Sequence, residues 1–205
     1  MTHGHFDHIA NIPEIAGRSP DVRIYCTETP FRTLAGKGVP AGNMRLLRYG
    51  DEPDINGFKV TVLHGKHAVL PKATPAQLKR ILSSESRGNL PFIMRENRLC
   101  RENDETLFYI LRAEGKTVFH MGSMNLRDDA DYPSGCDMLL LPYNGWEDNF
   151  PPAKAVIDRL KPNKVLLHHF DNTFPPLTSE PYLQPLIEEY GDLIEVPEYN
   201  VPVEI

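Results

Sequence analysis

The stretch Thr2-His3-Gly4-His5-Phe6-Asp7-His8 decides how the rest of this chain is interpreted. It has the pattern H-x-H-x-D-H, with three histidines and one aspartate within six residues. Neutral imidazole is the commonest protein ligand for zinc and related ions, and carboxylate suits the same ions. Four polar groups gathered at one turn would be costly to bury without a shared partner. The stretch therefore predicts a metal site.

The spacing within this stretch predicts two metal positions rather than one. A tight loop that presents alternate residues can aim His3 and His5 at one ion. Asp7 and His8 then point to a second position beside the first. Two ions held about 3.5–4 Å apart can share a bridging hydroxide, which is typical of two-metal hydrolytic sites.

The composition indicates one globular domain without a membrane segment. The 205 residues fit a single domain, 40% of them are hydrophobic, and no apolar run reaches the length of a membrane span. A net charge of −6 gives no sign of the broadly basic surface that is typical of nucleic-acid binding. The three cysteines are far apart and form no C-x-x-C pair, so we expect reduced thiols in a cytoplasmic protein.

Short apolar and β-branched runs alternate with helix-like stretches along the chain. The runs predict strands at Val22–Cys26, Phe58–His64, Leu107–Arg112, Thr117–His120, Asp137–Pro142, Val165–His168 and Leu193–Val196. Helices are predicted at Ala76–Leu82, Ala153–Leu160 and Tyr182–Tyr190. This mixture is typical of a layered α/β protein in which sheets pack against helices.

Residues 71–104 differ from their surroundings because they are rich in Arg, Lys, Ser, Glu and Asn and interrupt the rhythm of strands. Two interpretations are open. The segment is either a solvated helix with a loop, or an insertion that caps or lines an active site. In both cases we expect residues 1–205 to form one domain.

The other five histidines lie at or just after the ends of predicted strands, where loops converge to build sites in layered α/β proteins. They are His64, His67, His120, His168 and His169. Side chains alternate along a strand, so we expect one metal ligand from His168 and His169 and one from His64 and His67. His120 stands alone, and a lone histidine is more often packed or exposed than bound to a metal.

Three features together resemble the metallo-β-lactamase-fold hydrolases. They are the motif T-H-x-H-x-D-H, a later histidine at a strand end, and a final strand followed by histidine and an aromatic residue. The resemblance covers nearly the whole chain and is strongest to the branch that includes lactonases of the ascorbate-6-phosphate type. It implies an αββα sandwich and a metal-dependent hydrolase with one or two zinc ions, Mn²⁺ or Fe²⁺ being alternatives.

The resemblance also implies how the opening motif divides between the two metals. His3 and His5 would bind the first metal, and Asp7 and His8 would bind the second. Each metal then needs one further ligand from a later part of the chain.

The two later ligands come from the paired histidines. The family's third histidine often follows a short turn that contains glycine, which favours His67 over His64. Its last histidine usually precedes an aromatic residue, which favours His169 over His168 because Phe170 follows.

One departure from the family pattern concerns the bridging ligand. The family normally has Gly-Asp after the strand that ends here at His120, and that aspartate bridges both metals. This chain has Gly122 and Ser123 instead. A serine hydroxyl brings no negative charge, so we expect one firmly bound and one weakly bound metal, or recruitment of His120 or Asp128.

A second departure concerns the front of the fold. The family places several strands before the H-x-H-x-D-H loop, whereas here that loop begins at residue 3. We expect an N-terminally truncated sandwich, arising from a fragment, a late start codon or a reduced version of the fold. Missing strands would expose apolar surface, so we also expect association into a homo-oligomer.

The resemblance implies hydrolysis of a small ester, lactone or phosphoester. A metal lowers the pKa of bound water to about 7 and makes hydroxide available at neutral pH. Asp7 would orient that water, and His120 is a candidate proton donor. Two alternatives are a degenerate metal-binding domain without turnover, which Ser123 and the missing strands favour, and a nuclease of the same fold. The acidic composition counts against the nuclease.

Overall fold

The computed structural model describes residues 1–68, 75–83, 85–143, 149–170, 182–198 and 200–205. Its strands are β1 Ile24–Cys26, β2 Met44–Leu46, β3 Asp54–Ile55, β4 Phe58–His64, β5 Leu107–Ala113, β6 Lys116–Met121, β7 Met138–Pro142, β8 Val165–His168 and β9 Ile194–Glu195. Its α-helices are α1 Phe6–Ile9, α2 Ile12–Arg18, α3 Glu28–Gly36, α4 Pro75–Ser83, α5 Leu90–Leu99, α6 Phe150–Leu160 and α7 Gln184–Tyr190.

The main sheet contains seven of these strands in the order β3-β4-β5-β6-β7-β8-β9. The pairs from β3 to β6 are antiparallel, and the pairs from β6 to β9 are parallel. As a result β4, β6, β7 and β8 all run in the same direction. Their carboxyl ends meet at one edge of the sheet, where the loops that follow them can build a site.

Helices cover one face of the main sheet. Phe108 and Ile110 of β5 point to this face, together with Leu139 and Leu141 of β7. They pack against the apolar side of α6 and against Leu186 of α7. Because β7 lies between parallel neighbours, it is apolar along its whole length rather than alternating in polarity.

The opposite face of the main sheet packs against a second sheet, formed by the parallel strands β1 and β2. Tyr25 of β1 packs with Val60 and Val62 of β4. The other side of the small sheet, at Ile24 and Met44, packs against α1, α2 and α3. The layers therefore run helix, sheet, sheet, helix, which confirms the predicted αββα architecture with a second sheet of two strands among the described residues.

Each of the seven predicted strands is present; Phe58–His64 and Val165–His168 have the predicted ends, and the ends of the others differ by at most two residues. The helix predicted at Tyr182–Tyr190 begins at Gln184, because Pro185 fits the first turn of a helix but not its interior. The sequence patterns missed β2, β3, α1, α2 and α3, whereas α5 lies in the segment at 71–104 for which a helix with a loop was one of the two interpretations. Strands of two or three residues and a helix of one turn are too short to show a hydrophobic period.

Residues 75–99 of the segment at 71–104 are helical in their described part, with a short 3₁₀ turn at Glu85–Asn89 between α4 and α5, and residues 100–104 follow as a loop. Residues 71–74 and 84 lie outside the described part. The ring of Phe92 meets Phe6 of α1 edge-on, with 6.3 Å between ring centroids. Lys37 Nζ lies 2.8 Å from Glu96 Oε2, which ties α5 to the end of α3. The segment is thus attached beside the opening motif.

The described residues contain no helix that is long and apolar enough to cross a membrane. Cys26, Cys100 and Cys136 are buried free thiols, as the spacing of the cysteines predicts.

Candidate metal centre

The loop that carries the opening motif is fixed by backbone hydrogen bonds to both sheets. The Leu107 N–H of β5 donates to the Thr2 carbonyl at 2.7 Å, and the Met1 ammonium donates to the Tyr25 carbonyl of β1 at 2.8 Å. The chain turns into α1 at Phe6. These contacts place the histidines at the edge of the main sheet where the parallel strands end.

Two glycines allow this loop to approach its neighbours closely. A Cβ atom at Gly4 would lie 2.3 Å from the Arg101 carbonyl oxygen, which is backbone and cannot rotate away. A Cβ atom at Gly122 would lie 2.1 Å from the Thr2 side chain. Only glycine leaves room for these backbone segments to lie so close together. The loop that carries the candidate ligands is therefore packed against Arg101 on one side and Gly122 on the other.

The first group of candidate ligands consists of His3, His5 and His67. One ring nitrogen from each lies within 4.8 Å of the others. His3 is only 1% exposed, and its Nε2 atom is buried without a hydrogen-bond partner among the described residues. Such an atom is costly in an apolar setting unless something binds it. A metal ion that accepts its lone pair would satisfy it.

The second group consists of Asp7, His8 and His169. His8 Nε2 lies 3.3 Å from His169 Nε2 and 3.4 Å from Asp7 Oδ2, and His169 Nε2 lies 3.5 Å from Asp7 Oδ2. Ligand atoms that bind one zinc ion tetrahedrally at about 2.0–2.1 Å lie about 3.3 Å apart. The three atoms already have nearly this spacing.

The two groups are neighbours, and Thr2 contacts both. The rings of His3 and His8 have centroids 3.9 Å apart. Thr2 Oγ1 lies 3.3 Å from His3 Nδ1 and 3.4 Å from His8 Nδ1. The hydroxyl oxygen has two lone pairs and can accept a hydrogen bond from both Nδ1–H groups, which leaves the Nε2 lone pair of each ring free. Thr2 thus engages the Nδ1 atoms and leaves the Nε2 atoms to face the centre.

The electrostatics of the site keep its donors in the form that binds metal. Burial, together with the neighbouring His8 and His67, lowers the pKa of His3 to about 2. Burial lowers the pKa of His8 to about 4, although Asp7 opposes the shift. Burial also acts to raise the pKa of Asp7, but its hydrogen bond with His169 and the nearby His8 hold that pKa well below its usual range. At neutral pH His3 and His8 are therefore neutral imidazoles and Asp7 is a carboxylate, which are the forms that bind metal.

The structure places His64 and His168 outside both groups. His64 stacks on Tyr49 with 4.9 Å between ring centroids. His168 points to the face of the sheet that carries His120, and its Nε2 approaches the Met121 carbonyl at 3.1 Å. His169 leaves the strand with a φ of 72°, a left-handed conformation that is uncommon for histidine and turns its ring toward His8.

His120 lies beside His168 rather than in either ligand group. The two rings stack with 5.6 Å between centroids, and Tyr109 stacks on the other side of His120 at 6.3 Å. Burial lowers the pKa of His120 to about 4, so its ring is neutral at pH 7. Its role as proton donor stays a prediction.

Ser123 and Asp128 also lie outside the two ligand groups. Ser123 is buried, and its hydroxyl accepts a hydrogen bond from the Ala68 N–H at 2.8 Å. Asp128 is exposed in the loop after β6. The sequence pattern did not predict the contacts of Thr2 with the rings of His3 and His8, because a hydroxyl beside the first histidine gives no sign of its partners.

The fold and the two groups of ligand residues define a protein of the metallo-β-lactamase fold. A family model described as a beta-lactamase superfamily domain matches residues 1–170, and the chain belongs to that family. A metal-dependent hydrolase of the UPF0173 group from Chloroflexus aurantiacus is 25% identical over 203 residues, covering 96% of this chain and 73% of that protein. Another from Polynucleobacter asymbioticus is 28% identical over 188 residues, covering 87% of this chain and 58% of that protein.

Solved structures show the same fold at lower identity. Zinc-bound PqqB from Methylobacterium extorquens aligns with a TM-score of 0.62 at 16% identity, over 100% of this chain and 71% of that one. Igni18, a metallo hydrolase from Ignicoccus hospitalis, aligns with a TM-score of 0.60 at 20% identity, over 96% of this chain and 73% of that one.

We predict that Gly4→Ala destabilises the protein by about 1–3 kcal/mol in the free energy of unfolding, because the added methyl meets a backbone carbonyl. Gly17→Ala is the matched control, since a Cβ atom there meets nothing within 4 Å and alanine favours the helix α2. Urea unfolding of both variants measures the difference. Equal stability of the two variants would show that the ligand loop is not tightly enclosed.

We predict that the metal-free protein loses stability as the pH falls from 7 to 4. The pKa values of His8, His120 and His168 are lowered to about 4 by burial. When the pH falls below the ordinary histidine pKa of about 6.5, these histidines bind protons in the unfolded chain but not in the folded chain. Lower pH therefore favours the unfolded state. Urea unfolding in the presence of a chelator measures this loss.

The matched variant for the pH experiment is His120→Asn, which removes one of these groups. The slope of stability against pH near pH 5 should then fall by roughly one proton. A free energy of unfolding that stays constant between pH 7 and pH 4.5 would contradict the buried neutral state of these histidines.

Proposed function

We propose that this chain is a metal-dependent hydrolase that cleaves a small ester, lactone or phosphoester at two adjacent metal sites. The observation that carries the proposal is the pair of three-residue ligand groups built on one loop, His3, His5 and His67 beside Asp7, His8 and His169. The names of the curated relatives support the hydrolase activity.

The donor set fits zinc, and Mn²⁺ or Fe²⁺ would also accept mixed histidine and carboxylate ligands. His3, His5 and His67 would hold the first ion, and Asp7, His8 and His169 the second. A divalent ion bound there would lower the pKa of water to about 7 and polarise the oxygen of a substrate.

The chain's own residues would then position the reactants. Asp7 stays ionised at neutral pH and has 38% of its side chain exposed, so its carboxylate can accept a hydrogen bond from a water molecule and orient it. Thr2 fixes the rings of His3 and His8 by their Nδ1 atoms. The left-handed backbone at His169 aims its ring at the second site.

The charge of the site supports an anionic substrate. The six ligand residues would contribute a single negative charge, that of Asp7, because a histidine binds a metal as the neutral imidazole. Two divalent ions would therefore give this centre a large net positive charge. Ser123 adds no carboxylate to reduce this charge. Attraction in a partly buried site favours a phosphoester or a substrate that carries a carboxylate.

We propose that α4 and α5 form a cap beside the site within a single domain of residues 1–205. Phe92 contacts Phe6 next to the ligand loop, and the Arg101 carbonyl closes over Gly4. Leu82 and Met94 are exposed on this segment and could contact an apolar part of the substrate. Association into a homo-oligomer and a cytoplasmic location stay predictions.

Metal analysis tests the proposal most simply. Protein purified without chelator should contain about two equivalents of zinc or a related ion by mass spectrometry. The double variant His3→Ala/His5→Ala should lose the ion of the first site, and His64→Ala should retain both because His64 lies outside the ligand groups.

Turnover on a panel of lactones and phosphodiesters then separates the hydrolase from the degenerate metal-binding domain. One ion per chain without turnover would support the degenerate domain, which Ser123 favours. Absence of stoichiometric transition metal from the wild-type protein would contradict both.

A further inference from the structure

We propose that Ser123 is a positioning residue for His67, acting through a hydrogen bond to the backbone rather than through a metal. The inference rests on the proposed metal sites, because its effect is on a candidate ligand of the first site. It gives a role to the residue at which this chain departs from the family pattern.

Ser123 follows β6 and is 6% exposed. Its Oγ atom accepts a hydrogen bond from the Ala68 N–H at 2.8 Å, across 55 residues of sequence. Without this acceptor the half-buried Ala68 amide would lose its hydrogen-bond partner, which costs free energy. The loop after β6 therefore fixes the peptide that immediately follows His67.

The same turn also fixes the orientation of the His67 ring. His67 Nδ1 lies 2.8 Å from the Ala68 carbonyl oxygen. A carbonyl can only accept, so Nδ1 must carry the proton and Nε2 must carry the free lone pair. The ring is held in the tautomer that presents Nε2 as a metal ligand, as is usual for metal-binding histidines.

Asn125, in the same loop after β6, makes a second hydrogen bond to this peptide, and we call the two bonds from Ser123 and Asn125 the clamp. Its Nδ2 atom donates to the His67 carbonyl oxygen at 3.3 Å. The carbonyl of His67 and the amide of Ala68 are therefore both held by the loop after β6. A carboxylate at residue 123 would act as a charged ligand, whereas the serine hydroxyl is neutral and serves as an acceptor for the backbone.

The direct test is hydrogen exchange of the Ala68 amide in metal-free protein, measured by NMR in the presence of a chelator. The amide should be protected in the wild type and exchange at least tenfold faster in Ser123→Ala. Ser134→Ala is the matched control, because Ser134 is exposed in a nearby loop. Unprotected exchange in the wild type would overturn the proposal, even if Ser123→Ala did not fold.

The second readout is zinc affinity at each site, measured by competition with a chelating dye. In a His169→Ala background, where the first group stays complete, Ser123→Ala should raise the Kd by about 10–100-fold. In a His67→Ala background, which reports the second site, the same change should leave the Kd nearly constant.

The two readouts separate this proposal from the proposed function. Absence of zinc binding in either background would contradict the metal sites, while the protection of Ala68 would still test the clamp. Weakened zinc binding without any protection of Ala68 in metal-free protein would identify Ser123 as a direct ligand and overturn the positioning role. An unchanged Kd at the first site would also overturn it.

Discussion

The burial of the loop that carries His3 is the constraint on which the rest of the site depends. Its backbone is bonded to β5 through Thr2, and it packs so closely on Arg101 that residue 4 has no room for a side chain. Burial keeps the imidazoles neutral, and close packing brings the rings of His3 and His8 to 3.9 Å. Neutral nitrogen atoms crowded in this way are stabilised by a shared cation.

The direction of the strands supplies the remaining ligands. Because β4 and β8 end at the same edge of the main sheet, the loops after them bring His67 and His169 to the opening motif from opposite sides. In each loop a local backbone feature sets the orientation of the histidine ring. The His67 ring is oriented by a turn that is hydrogen-bonded to Ser123, and the His169 ring is oriented by a left-handed backbone conformation.

Much of this arrangement could be predicted from the sequence. Alternating apolar runs located most strands of the main sheet. The opening motif, together with the resemblance to the metallo-β-lactamase fold, supplied six candidate ligands, and the structure gathers the same six residues into two groups. The contacts of Thr2 and Ser123 could not be predicted. They depend on tertiary approach between segments far apart in sequence, and a hydroxyl has no pattern of its own. Strand β2 of the two-stranded sheet was missed, because three residues carry too little periodicity.

Anomalous X-ray diffraction from crystals grown with zinc tests the central claim most directly. The account predicts two peaks about 3.5–4 Å apart. One should contact Nε2 of His67, and the other Nε2 of His169 together with the Asp7 carboxylate. A single ion bound by His64 or His168, or crystals without a peak at the His3–His8 loop, would contradict it.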